Sequence, residues 1–148
     1  MNKPPPPTSP AKVFTYELDP KFPKACTPKI GKYYRVGCDL AVPETIVMKS
    51  NETRKIDLGI RIDIPDEYFA ILTGRSCLPH RYDAYVVTGI IDPVYCSNLF
   101  VTLHAFRDTE IPQGEYICQL VMRKHDITPI FLKKTKPIKL STPLPGQS

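Results

Sequence analysis

Lys55-Ile56-Asp57-Leu58-Gly59-Ile60-Arg61-Ile62-Asp63-Ile64 alternates apolar residues with polar or small ones along its whole length. Successive side chains of a strand point to opposite faces, so this run predicts one half-buried antiparallel strand. Pro65-Asp66-Glu67 ends it, and residues 68–72 begin another. Further strands are expected at 13–18, 44–48, 84–88, 99–105, 116–122 and 127–132, with a single helical turn at 81–85. The chain holds 17 prolines, spread along its length, which nearly excludes long helices. Short strands at this spacing indicate an all-β sandwich, jelly roll or barrel.

A chain of 148 residues holds one domain with a real core. Residues 1–12 are proline-rich and read as a disordered tail. Pro4 with Pro7, and Pro7 with Pro10, have the PxxP spacing that can recruit a protein partner. Residues 13–132 form the body, and 133–148 a second flexible tail, basic and proline-containing. The 5 cysteines are an odd count without a CxxC pair, which argues against a disulfide framework or a zinc site. Free thiols imply a reducing compartment. With no apolar run long enough for a bilayer and no signal-like N-terminus, an intracellular location, cytoplasmic or nuclear, is expected. The net charge of +5, much of it from lysines within 133–139, suits an anionic ligand and does not mark a nucleic-acid binder.

Four segments put small, polar and charged residues at strand ends. Gly89-Ile90-Ile91-Asp92-Pro93-Val94-Tyr95 ends an apolar strand on a carboxylate, with an aromatic three positions later. Such an arrangement presents the carboxylate at the mouth of a pocket and the ring as its wall. Gly74-Arg75-Ser76-Cys77 offers forked guanidinium donors, a hydroxyl and a close-approaching backbone, a plausible phosphate grip. Asp39, in Gly37-Cys38-Asp39-Leu40, and Asp92 are hard oxygen ligands suited to Mg²⁺ on a polyphosphate, or independent turn aspartates. The fourth segment is Gln113-Gly114-Glu115-Tyr116-Ile117-Cys118-Gln119-Leu120.

In this order and spacing the four segments resemble the motifs of the homotrimeric dUTPase family, across roughly residues 12–132. The resemblance implies a distorted jelly roll, or β-clip barrel, that assembles as a homotrimer with active sites at subunit interfaces. It implies dUTP hydrolysis to dUMP and pyrophosphate. Asp92 would be the catalytic residue, activating the water that attacks the α-phosphorus. Arg75, Ser76 and Cys77 would hold phosphates, with Gln119 supporting them. Backbone of 85–89, Val87 and Gly89 included, would read the uracil edge, and Tyr95 would pack on the deoxyribose. Asp39 would touch Mg²⁺ through water.

The family's fifth motif, a glycine-rich arm that closes over the nucleotide, has no counterpart between Leu132 and Ser148. Loss of such a lid would cut turnover. Lysines within 133–139 are a substitute for its charge but not for its stacking ring. A second reading is therefore a catalytically impaired member that acts as a nucleotide-binding or protein-interaction module. The sister dCTP deaminases also resemble parts of the chain, but they need a catalytic Glu where Thr102 stands.

Overall fold

The computed structural model describes residues 5, 13–30, 37–126 and 128–137. Its two longest strands, β7 (Tyr68–Gly74) and β12 (Tyr116–Lys124), pair antiparallel from Gly74 opposite Cys118 to Tyr68 opposite Lys124. The other edge of β12 takes β3 (Cys38–Ala41), with β2 (Lys29–Ile30) outside it. β9 (Gly89–Ile91) pairs with the outer edge of β7. The resulting sheet has the order β2-β3-β12-β7-β9. A second sheet lines up β5 (Thr53–Asp57), β10 (Phe100–Ala105) and β8 (Ala84–Val87), in that order. Two further pairs join β1 (Tyr16–Leu18) to β6 (Ile60–Ile62), and β4 (Ile46–Met48) to β11 (Thr109–Ile111). The all-β expectation holds.

The alternating run delivers Ile56, Leu58, Ile60, Ile62 and Ile64 to one continuous core, where they meet Leu40, Leu72, Leu103 and Leu120. It is not one strand, however. The Asp57 carboxylate accepts the Gly59 amide at 2.8 Å, and Gly59 turns the chain at φ +68. A side chain bonding its own backbone two residues on bends the strand there, so β5 and β6 join different sheets. Strands 13–18 and 44–48 shorten to Tyr16–Leu18 and Ile46–Met48, while 116–122 lengthens to Lys124.

Two expectations need correction. The helical turn lies at α1 (Cys77–Tyr82), not 81–85, and Tyr85 already belongs to β8. Pro79 hid it from the sequence, yet a proline in the first turn removes only an amide with no intrahelical partner. No strand forms over 128–132, and Ile127 lies outside the described residues. Ile130, Phe131 and Leu132 are 86%, 88% and 98% exposed, because no strand of the same chain lies beside them. The N-terminal tail, apart from Pro5, and most of the C-terminal tail also lie outside the described residues. Within those residues no helix is long and apolar enough to cross a membrane.

Gly37 enters β3 at φ +77, and a Cβ there would stand 2.6 Å from the Leu120 carbonyl oxygen. Gly114 has a similar φ of +86 but open space around it. Gly37→Ala should therefore cost clearly more than Gly114→Ala, about 3 kcal/mol against about 1. Equal losses in chemical denaturation would contradict the packing at β3.

Candidate active site

Asp39, Gln119 and Thr73 stand in one row across β3, β12 and β7, because Gln119 lies opposite Asp39 on one side and Thr73 on the other. Their neighbours Leu40, Cys118 and Leu72 point into the core, so by strand alternation the row faces outward. The Thr73 and Thr88 hydroxyls, 2.9 Å apart, extend it past β7.

At the end of β7 the chain passes Gly74 into the predicted phosphate grip. A bulge in β12 between Tyr116 and Cys118 re-aims two successive carbonyls toward it. The Ile117 carbonyl accepts the Arg75 amide at 2.9 Å. The Tyr116 carbonyl accepts Arg75 Nη1 at 3.0 Å and the Cys77 thiol at 3.5 Å. Arg75 Nε faces Asp39 Oδ2 at 3.4 Å, with side-chain exposures of 31% and 11%. The guanidinium is thus fixed from behind and keeps one side toward solvent. Ser76 precedes α1, exposed, with its hydroxyl making no capping bond. Gln119 Nε2 donates to the Gly74 carbonyl at 3.4 Å, tying the row to the grip. Behind it, burial pushes the Cys118 thiol far above its ordinary range, so this cysteine stays a protonated packing residue.

The other predicted residues lie along β8 and β9. β8 is the outer strand of its sheet, and Val87 on it is 50% exposed. Nothing lies within 4 Å of where a Cβ on Gly89 would be. Asp92 follows β9 and is exposed; its carbonyl accepts the Tyr95 amide at 3.0 Å. No side-chain hydrogen bond or ion pair engages the Asp92 carboxylate among the described residues. Tyr95 turns inward instead. Its ring packs on the core, and its hydroxyl donates to the Asn98 carbonyl at 2.5 Å. Burial raises the phenol above its ordinary value, with the Asp57 and Cys96 charges adding to the effect, so the hydroxyl stays neutral.

Register divides these groups into two. Gly89 lies opposite Leu72 and Ile91 opposite Ala70, which sets Asp92 level with Phe69. Arg75 stands beyond the other end of β7. Six residues at about 3.3 Å each separate the two levels, roughly 20 Å. One chain therefore brings together Asp39, Arg75, Ser76, Cys77 and Gln119, but not Asp92 with them. Thr73, Thr88 and Tyr116 are members of the site that no motif singled out, since cross-strand register is invisible in a sequence.

An all-β body with this sheet order, a fixed guanidinium and a free carboxylate at opposite ends of one strand is the architecture of the dUTPase fold. The dUTPase family model matches residues 24–145, and the chain belongs to that family. It is 30% identical over 129 residues to the deoxyuridine 5'-triphosphate nucleotidohydrolase of Crocosphaera subtropica, covering 84% of this chain and 87% of that one. The Paramecium bursaria Chlorella virus 1 enzyme is 29% identical over 102 residues, with coverages of 68% and 72%. A probable relative in Invertebrate iridescent virus 6 is 32% identical over 110 residues, and this chain spans 37% of its length. Among solved structures, the Staphylococcus bacteriophage 80alpha dUTPase with dUpNHpp superposes with a TM-score of 0.74 at 22% identity, over 86% of this chain and 99% of that. The dUTPase of S. aureus phage phi11, described with a structural Mg(II) ion, gives 0.73 at 21% identity, with the same coverages.

Asp39 is the shielded partner of Arg75, so Asp39→Ala should cost about 1–3 kcal/mol of stability. Arg75→Ala added to it should cost less than the sum of the single losses. Additive losses in thermal denaturation would show that the two groups are energetically independent.

Proposed function

We propose that this chain hydrolyses dUTP to dUMP and pyrophosphate, at sites that copies of the chain build together as a trimer. One observation carries the reading: a pre-set cation grip and an uncommitted carboxylate on one strand, roughly 20 Å apart. No single nucleoside triphosphate engages both groups at its α-phosphorus within one protomer. A symmetric ring brings the Asp92 end of one copy to the Arg75 end of the next, because each interface in such a ring joins two different faces.

In that composite site each residue does what its surroundings allow. Asp92, unpaired and exposed, accepts a proton from water as the new oxygen–phosphorus bond forms at the α-phosphorus. The bond from that phosphorus to the α,β-bridging oxygen breaks, and pyrophosphate leaves. Arg75 and Ser76 hold the departing phosphates, with Gln119 bracing the Gly74 backbone beneath them. The edge backbone of 85–89, Val87 among it, reads the uracil, and Gly89 leaves room for the base. Tyr95, locked on Asn98, offers a fixed wall to the deoxyribose.

No cluster of three metal-ligating side chains exists among the described residues. Mg²⁺ fits this donor set all the same, since it is commonly held by one or two carboxylates, water and substrate phosphates. Asp39 would hold it through water, and the ion would neutralise phosphate charge. The alternative, a nucleotide-binding or protein-interaction module, is favoured by one feature, the exposed Ile130-Phe131-Leu132 run with no glycine-rich arm after it in the given sequence.

Asp92→Asn should lower pyrophosphate release from dUTP about 100-fold or more, with dUTP binding kept. Gly89→Ala should leave the melting temperature within about 2 °C, because its Cβ meets nothing, and still cut activity about tenfold. Absence of any release by the wild-type protein with Mg²⁺ would leave only the module reading.

A further inference from the structure

Beyond the residues that the motifs name, a second cation faces the grip. Lys29 lies directly opposite Asp39 in the β2–β3 ladder, so its side chain leaves the sheet on the same face as Asp39, Gln119 and Thr73. Its ammonium stands over the Tyr116 ring, 5.7 Å from the centroid. Tyr116 is itself fixed at both ends. Its hydroxyl donates to the Thr27 carbonyl at 2.9 Å, and its own carbonyl accepts Arg75 Nη1. Lys29 and Arg75 therefore flank Asp39 from opposite sides, one from β2 and one from the end of β7. A single carboxylate cannot neutralise both cations, so this end of the row keeps a positive excess aimed at solvent. Such an excess is matched by several phosphate charges, and is wider than a single phosphate needs.

Resting on the dUTPase reading above, we propose that Lys29, carried on the Tyr116 ring, is a further phosphate-binding residue of the site. It contacts the terminal phosphates and makes the site prefer a triphosphate to a monophosphate. The ring supports the ammonium from its face, keeping the long side chain near the grip where it would otherwise sweep through solvent. Tyr116→Leu keeps the backbone carbonyl that holds Arg75 and removes only this support.

The test is calorimetric binding of dUpNHpp and of dUMP to the full chain with Mg²⁺, for wild type, Lys29→Met, Lys29→Arg and Tyr116→Leu. Lys29→Met should weaken dUpNHpp about tenfold and flatten the salt dependence of its binding, and change dUMP less than about twofold. Lys29→Arg should bind like wild type, and Tyr116→Leu should show a smaller loss of the same selective kind. Unchanged dUpNHpp binding by Lys29→Met, or equal weakening of both nucleotides, would overturn the assignment while leaving the enzyme reading intact. Wild-type protein that binds neither nucleotide would overturn the reading itself and this inference with it.

Discussion

Every part of the candidate site hangs from β12, which bonds β3 along one edge and β7 along the other. Its alternation puts Cys118 and Leu120 into the core and Gln119 outward, so burial of two side chains fixes the position of the third. The bulge at Tyr116/Cys118 then breaks the ladder at one point only and points two carbonyls at Arg75. A slip of one residue in this strand would bury Gln119 and expose Leu120. The hydrophobic effect thus sets the register, and the register sets the site.

The electrostatics follow from that placement. Asp39 is shielded and tethered to Arg75, which removes it as a free base. Asp92 sits at a strand end, in solvent, with its backbone in a tight turn. Two carboxylates of the same type are thereby given different tasks by their surroundings, one structural and charge-balancing, the other available to water. The distance between them along β7 is why the account needs more than one copy of the chain.

Much of the fold was legible because its core is written with period two. Ile56 through Ile64 announced buried positions that the structure fills. The break at Gly59 was not legible, since it depends on the Asp57 carboxylate reaching the Gly59 amide. The helix over Cys77–Tyr82 was misplaced because Pro79 reads as a breaker, although its position in the first turn costs no hydrogen bond. The 127–132 expectation failed for a different reason: β-pattern predicts an edge, not a partner, and one chain supplies none there. The motif residues could be named from the sequence alone. Their division into two groups at opposite ends of β7 could not, because it lies in the β7–β9 register.

The most direct test of a site shared between copies is subunit mixing. Arg75→Ala and Asp92→Asn proteins, each inactive, would be unfolded together, refolded at equal amounts, and assayed for pyrophosphate release from dUTP. Random assembly of three-membered rings leaves one undamaged composite site in every mixed ring, so activity should return to roughly a quarter of wild type. A mixture as inactive as its parents, with mixed assemblies demonstrably formed, would place Arg75 and Asp92 in the same chain's site and contradict the account.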